Sequence, residues 1–150
     1  MERISLLSMS GRELDRLFRR SPAGSPPRGT ADGVFLLMPG TPAARPLARL
    51  LRLAWRGKAF DDRRAGMTNL VLPIGLRAVR AQVRPGVSRL DGGACHVLDY
   101  SRTSLVARHV RDEIREIAPG IYLGLVHWRG LRVGRFALRF APGRGAAGAC

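Results

Sequence analysis

Apolar and polar positions alternate most clearly near the C-terminus. Within residues 131–140, Phe136, Leu138 and Phe140 fall on one face of an extended chain, and Arg135 and Arg139 fall on the other. That period of two predicts a strand in a sheet with one apolar side. Residues 121–128 also read as a strand, and Arg129-Gly130 between the two predicts a two-residue hairpin turn. Upstream, residues 94–100 alternate, residues 76–83 read as a strand, and Asp91-Gly92-Gly93 marks a turn. Residues 34–38 are a continuous apolar run stopped by Pro39-Gly40, which predicts a buried strand.

Helical spacing appears in two places. Over residues 10–20, Leu14, Leu17 and Phe18 share a face, and Ser10 with Glu13 three residues later fits a capping box. After a Pro/Gly-rich stretch at 21–33, Thr41 and Pro42 predict a helix start, and Leu47, Leu50, Leu51 and Ala54 recur on one side. Arg45, Arg49, Arg52 and Arg56 lie opposite, and Gly57 is placed to cap the end. A basic amphipathic helix of about four turns can rest on anionic lipid. The plainer reading, in which the leucines cover a core and the arginines are solvated, is preferred. Residues 104–118 fit two patterns: Val106, Val110, Ile114 and Ile117 make a helical face, while 110–117 also reads as a strand of alternating charge. Together these elements predict an α+β chain dominated by β: a curved antiparallel sheet or a small barrel with one or two amphipathic helices.

Composition narrows the function classes. A hydrophobic share of 45% suits a folded core and excludes a disordered chain. No apolar run reaches the roughly 18 residues of a spanning helix, and the first residues do not form a secretory signal, so a cytoplasmic location is expected. The formal charge is +15, carried by arginine with one lysine, Lys58. An excess of that size implies an anionic partner: a lipid surface, an acidic ligand or nucleic acid. Nucleic acid ranks last, because the few aromatics read as core rather than as stacking platforms.

Chemistry-bearing residues are sparse. There is no Gly-x-Ser-x-Gly, phosphate-binding loop or dinucleotide fingerprint, and the histidines and two cysteines lack metal-ligand spacing. No metal and no cofactor are expected. Cys95 has no neighbour to activate it. The candidates for acid/base work are Asp99, Tyr100 and His96. Asp99 needs a partner on an apolar strand face, for which Arg111 or Arg115 are natural. Asp112, Glu113 and Glu116 supply further carboxylates, read as an ion-paired face. Arg102, Arg111, Arg115, Tyr122, His127 and Trp128 are the candidate ligand contacts, with His127 and Tyr122 on opposite strand faces.

One resemblance adds to this. Leu90-Asp91-Gly92, Val97-Leu98-Asp99-Tyr100-Ser101-Arg102-Thr103-Ser104 and the stretch Arg111-Asp112-Glu113 through Tyr122-Leu123-Gly124 are similar to a group of small bacterial proteins whose rhythm resembles lipocalin-like barrels. Trp55-Arg56-Gly57-Lys58 resembles the Gly/Trp-rich opening segments of such barrels, although Leu53 stands where a glycine would. The resemblance spans residues 33–140 and implies a lipocalin-like barrel with an interior, and hence small-ligand binding. It brings no catalytic residues. The expected organisation is a helix and wrap over 1–32, one β-rich domain over 33–141 and a tail over 142–150. The expected function is binding of a small hydrophobic or anionic amphipathic, lipid-like ligand. A barrel isomerase or cyclase acting by proton transfer in an apolar cavity, and peripheral binding of anionic membrane or nucleic acid through the basic amphipathic helix, are the alternatives.

Overall fold

A computed structural model describes residues 3–61, 66–72 and 74–141. Its eight strands run antiparallel in chain order, and the last pairs with the first to close a barrel. They are β1 (Gly29–Phe35), β2 (Trp55–Asp61), β3 (Gly66–Val71), β4 (Leu76–Val87), β5 (Ala94–Asp99), β6 (Val110–Ala118), β7 (Ile121–Trp128) and β8 (Leu131–Phe140). Closure removes every sheet edge, so no row of backbone donors is left to recruit another chain. The β1–β2, β3–β4, β5–β6 and β7–β8 connections all lie at one end, called the upper end below.

Alternation decides what fills the ring. Phe136, Leu138 and Phe140 on β8 point inward with Trp55, Phe60, Leu98, Ile114 and Tyr122. Phe35 and Phe136 pack on Trp55 with ring centroids 4.5 and 5.7 Å away. Two inward glycines make room for these rings. A Cβ on Gly33 would lie 2.3 Å from the Trp55 ring, and one on Gly124 would lie 2.2 Å from Phe136.

The outer wall carries a second core. Helices α1 (Arg3–Ser8), α2 (Gly11–Arg20) and α3 (Ala44–Leu51) cover one side. There Leu6, Leu14, Leu17 and Phe18 pack on Val34, Leu36, Leu123, Leu125 and Ala137. Each such large side chain contributes about 2 kcal/mol. Ser10 caps α2 by accepting from the Glu13 N–H at 3.2 Å. Arg115, outward on β6 and 2% exposed, ties the layers together. It donates to both oxygens of Asp91 at 2.7 Å and to the Phe18 carbonyl at 2.8 Å, with its guanidinium over the Phe18 ring.

Several expectations are corrected. Residues 110–117 are strand. The first strand begins at Gly29, not Val34, because pairing with β2 and β8 draws the end of the Pro/Gly-rich stretch into the barrel. The second helix spans only Ala44–Leu51, and Thr41 donates its hydroxyl to the Met38 carbonyl instead of capping it. It buries Ala44 and Ala48, while Leu50 is exposed. Trp55-Arg56-Gly57-Lys58 belongs to β2, so Gly57 caps no helix. Strands β2 and β3 and helix α1 were not anticipated. The 142–150 tail, with Cys150, lies outside the described residues.

Removing the Asp91 carboxylate leaves a buried guanidinium without its counter-charge. Asp91→Ala is expected to lower stability by about 2 to 3 kcal/mol, less than for a fully buried pair because Asp91 is partly exposed; urea unfolding measures it. The Arg115 hydrogen bonds hold the Asp91 pKa down at about 2 from 3.8. A depressed carboxylate stabilises the fold above its unfolded value, so this contribution should fade as pH falls from 3.8 to about 2. The variant should lose that part of the acid transition.

Candidate functional site

Four strands place polar side chains at one height inside the barrel. Lys58 comes from β2, Asn69 from β3, Tyr100 from the position just after β5 and Asp112 from β6. Register shifts beside Trp55 and at Thr68/Asn69 re-aim the chain where these residues enter. Lys58 is 3% exposed. Its ammonium donates to Asn69 Oδ1 at 2.8 Å, to the Tyr100 hydroxyl at 2.8 Å and to Asp112 Oδ2 at 3.1 Å. Those three bonds use all its donors. The rings of Trp55, Tyr100 and Phe136 stand 5.5, 5.5 and 5.2 Å from the nitrogen.

The rest of the network is nearly closed. Tyr100 donates to Asp112 Oδ2 at 3.1 Å and accepts from Asn69 Nδ2 at 3.0 Å. Asn69 Oδ1 also accepts from Trp55 Nε1, and Asn69 Nδ2 also donates to the Val79 carbonyl. The exception is Asp112 Oδ1, buried and with no donor among the described residues. Burial pushes the Lys58 pKa down, against the pull of Asp112. Burial, with Asp112 beside it, pushes the Tyr100 pKa well up, so the phenol keeps its proton and acts as a donor at neutral pH. The open position in this cluster is thus an acceptor. It matches a hydroxyl or amine rather than an anion.

The structure separates the three acid/base candidates. Tyr100 belongs to the cluster. His96 sits lower, bonded to the Gly24 carbonyl at 3.0 Å and facing Tyr122. Asp99 points outward and pairs with Arg84 at 3.4 Å, not with Arg111 or Arg115. Burial raises the Asp99 pKa, but hydrogen bonds from Ser101 and Arg84 outweigh it, and the net shift is downward. Among the ligand candidates, Arg115 is held by Asp91 and Tyr122 donates to the Ser25 carbonyl. Arg102 is exposed on the loop after β5, and Trp128 is half exposed under the Arg129 guanidinium. Arg111 and His127 face an outer cleft.

The four arginines assigned to a lipid-facing helix do not share one face. Arg45 and Arg49 are exposed on α3. Arg52 follows α3 and bonds the Gly33 carbonyl at 3.0 Å, and Arg56 lies on β2. Cys95 is buried, and desolvation raises its pKa to about 11, which leaves it inert as a thiol. Lys58, Asn69 and Asp112 were not picked out as a site. The available signal was Lys58 itself, the one lysine among 26 basic residues.

Fold and cluster together define a class: a closed eight-stranded antiparallel barrel with an ion pair at its centre, compatible with holding a small ligand. No protein-family model matches the chain, and no curated protein matches it. Its fold is similar to that of a protein from Thermomonospora curvata known from a crystal structure, 20% identical, with a TM-score of 0.62 over 89% of this chain and 88% of that one. At that identity the likeness is one of fold. Among the described residues no helix is long and apolar enough to cross a membrane.

Taking away one partner of the buried pair should separate structural from functional roles. Asp112→Ala strands the Lys58 ammonium, with an expected loss of about 3 to 5 kcal/mol. Lys58→Met combined with Asp112→Leu should recover most of it, measured by guanidinium unfolding. Recovery would mean that stability alone does not account for the pair; a double variant as unstable as the single would make the cluster structural.

Proposed function

We propose that the protein binds a small apolar or amphipathic, lipid-like ligand and collects it from an anionic membrane surface at the upper end of the barrel. One observation carries this reading: the large apolar side chains left in water are gathered at that end. Leu72, Ile74 and Leu76 surround the β3–β4 turn, and Trp128 and Leu131 flank the β7–β8 turn. Leu105 and Val106, on the loop after β5, are 89% and 93% exposed. Among the described residues Val87 alone of the exposed large apolar side chains belongs to the other end. Such rims are unfavourable in water and favourable in a bilayer interface. Arg49, Arg102, Arg108 and Arg129 supply cations at the same end.

The loop at residues 101–109 also lays Ala107 onto the interior core, so the rim and the way into the barrel share one segment. Inside, aromatic walls suit an apolar body and Asp112 Oδ1 suits a hydroxyl or amine head. Because Trp55, Phe35 and Phe136 pack against one another, a ligand reaches the cluster only if these rings or the loop shift. A second reading, proton-transfer isomerisation or cyclisation, draws on the Tyr100 phenol beside the Asp112 carboxylate. It differs in predicting that Tyr100→Phe abolishes turnover while binding survives.

Vesicle flotation and native mass spectrometry test the proposal. The purified chain should carry an extractable lipid-like molecule. It should float with anionic vesicles and not neutral ones, with binding weakened by salt. Leu105→Asp with Val106→Asp should reduce binding at least tenfold, each lost burial being worth about 1.5 kcal/mol or more. A clean protein mass together with equal, weak flotation on both vesicle types would refute it.

A further inference from the structure

We infer that a cleft on the outer wall, beside the upper end, is a binding site for a phosphate-bearing small molecule. This goes beyond the barrel reading and does not depend on the interior being occupied. The cleft encloses about 460 Å³, the volume of a small-molecule site. Five arginines reach it: Arg84, Arg89, Arg108, Arg111 and Arg129. His109 and His127 also line it as neutral imidazoles, and Asp99 is the acid among the lining residues.

The local acids are already engaged. Asp99 pairs with Arg84. Glu113, fully buried beneath the cleft, accepts from the Ser88 hydroxyl at 2.7 Å, from the Arg89 N–H at 2.9 Å and from Arg111 Nε at 3.1 Å. Among the described residues Arg89, Arg108 and Arg129 form no ion pair. Arg108 donates to His109 at 3.2 Å, and Arg129 lies over Trp128. Burial and the nearby Arg129 and Arg108 charges push the His109 pKa down. His127 is buried with an unpartnered Nδ1, 3.9 Å from Glu113 Oε2.

Three guanidinium groups held around a hollow without counter-charge repel one another. A dianion relieves that repulsion. The planar forks of arginine match phosphate oxygens two at a time, which a diffuse surface charge cannot reproduce. The same phosphate chemistry is offered by a soluble phosphorylated metabolite and by a lipid headgroup presented beside the apolar rim.

Titration calorimetry with inorganic pyrophosphate on the native chain tests this. Saturable one-to-one binding is expected, with a shift of the His127 ring signals in NMR. Arg108→Ala with Arg129→Ala should weaken it at least tenfold. Arg12→Ala with Arg16→Ala, which removes the same charge from the outer face of α2, should leave it within twofold. Both arginine pairs are exposed, and the cleft variant should unfold at no lower temperature than the native chain without ligand. Equal weakening in the two variants, or no saturable binding, overturns the inference. Leu105→Ser with Val106→Ser, which removes the apolar crest and adds no charge beside Arg108, then separates the sources. Pyrophosphate binding survives it in either case, whereas tighter binding of phosphatidic acid vesicles that this variant abolishes marks a lipid headgroup. The barrel reading fails separately, through the lipid extraction and not through pyrophosphate.

Discussion

Lys58 can sit inside the barrel because Asn69, Tyr100 and Asp112 meet its three N–H bonds at 2.8 to 3.1 Å. An ammonium stripped of water is tolerated only with that degree of compensation. The requirement reaches into the architecture. Four strands must deliver their side chains at the same height, and a slip of one residue on β2 would turn Lys58 outward and Ala59 inward. The bulges beside Trp55 and Asn69 fix that register. The glycines at 33 and 124 follow from the same demand, since the Trp55 and Phe136 rings that shield the ammonium need the space a Cβ would fill.

The choice of cation at each place follows its chemistry. The interior takes a compact ammonium whose three donors point to three different strands. The outer layer takes arginine, whose flat fork grips Asp91 with two parallel bonds and still reaches the Phe18 and Ala94 carbonyls. A similar arrangement recurs at Asp15, which Arg132 and Arg135 hold on the α2 side. Each such pair also uses up an acid, so the +15 excess, 26 basic residues against 11 acidic ones, stays uncompensated. Exposed arginines also lie elsewhere, Arg12 and Arg16 on α2 among them; the cleft differs in that Arg89, Arg108 and Arg129 converge on one hollow.

Where sequence predicted structure well, local pattern and global fold agreed. Phe136, Leu138 and Phe140 alternate because one face of β8 is the barrel interior, while on the other Arg135 meets Asp15, Ala137 packs under the helices and Arg139 is exposed. Arg129-Gly130 forms the hairpin with φ of 51° and 83°, both left-handed as a tight two-residue turn demands. Residues 110–117 were ambiguous because both faces of β6 are buried, so Ile114 and Ile117 mimic a helical stripe and the charges carry no inside or outside label. Helix α3 was overextended because Leu50 and Ala54 are exposed, and exposed apolar residues at helical spacing read as a core face. Lys58 and Asp112 lie 54 residues apart, and no spacing rule joins them. Only closure of the ring does.

The loop between β5 and β6 is where the two candidate sites meet. Tyr100 begins it inside the cluster, Leu105 and Val106 stand at its crest, Ala107 rests on the interior core, and Arg108 and His109 face the cleft. It is tied to the barrel where the Thr103 hydroxyl donates to the Arg80 carbonyl on β4 and where the His109 carbonyl accepts from the Arg129 N–H, while the Ala107 N–H is taken by Ser104 within the loop. Exposed loops open at a lower free-energy cost than core strands. An anion fixing Arg108 and His109 would therefore bias where Ala107 sits, and a ligand displacing Ala107 would disturb the cleft. By linkage the two effects must be equal in free energy. If both sites bind as proposed, they are coupled through these ten residues, and occupancy of the cleft sets how readily the barrel opens.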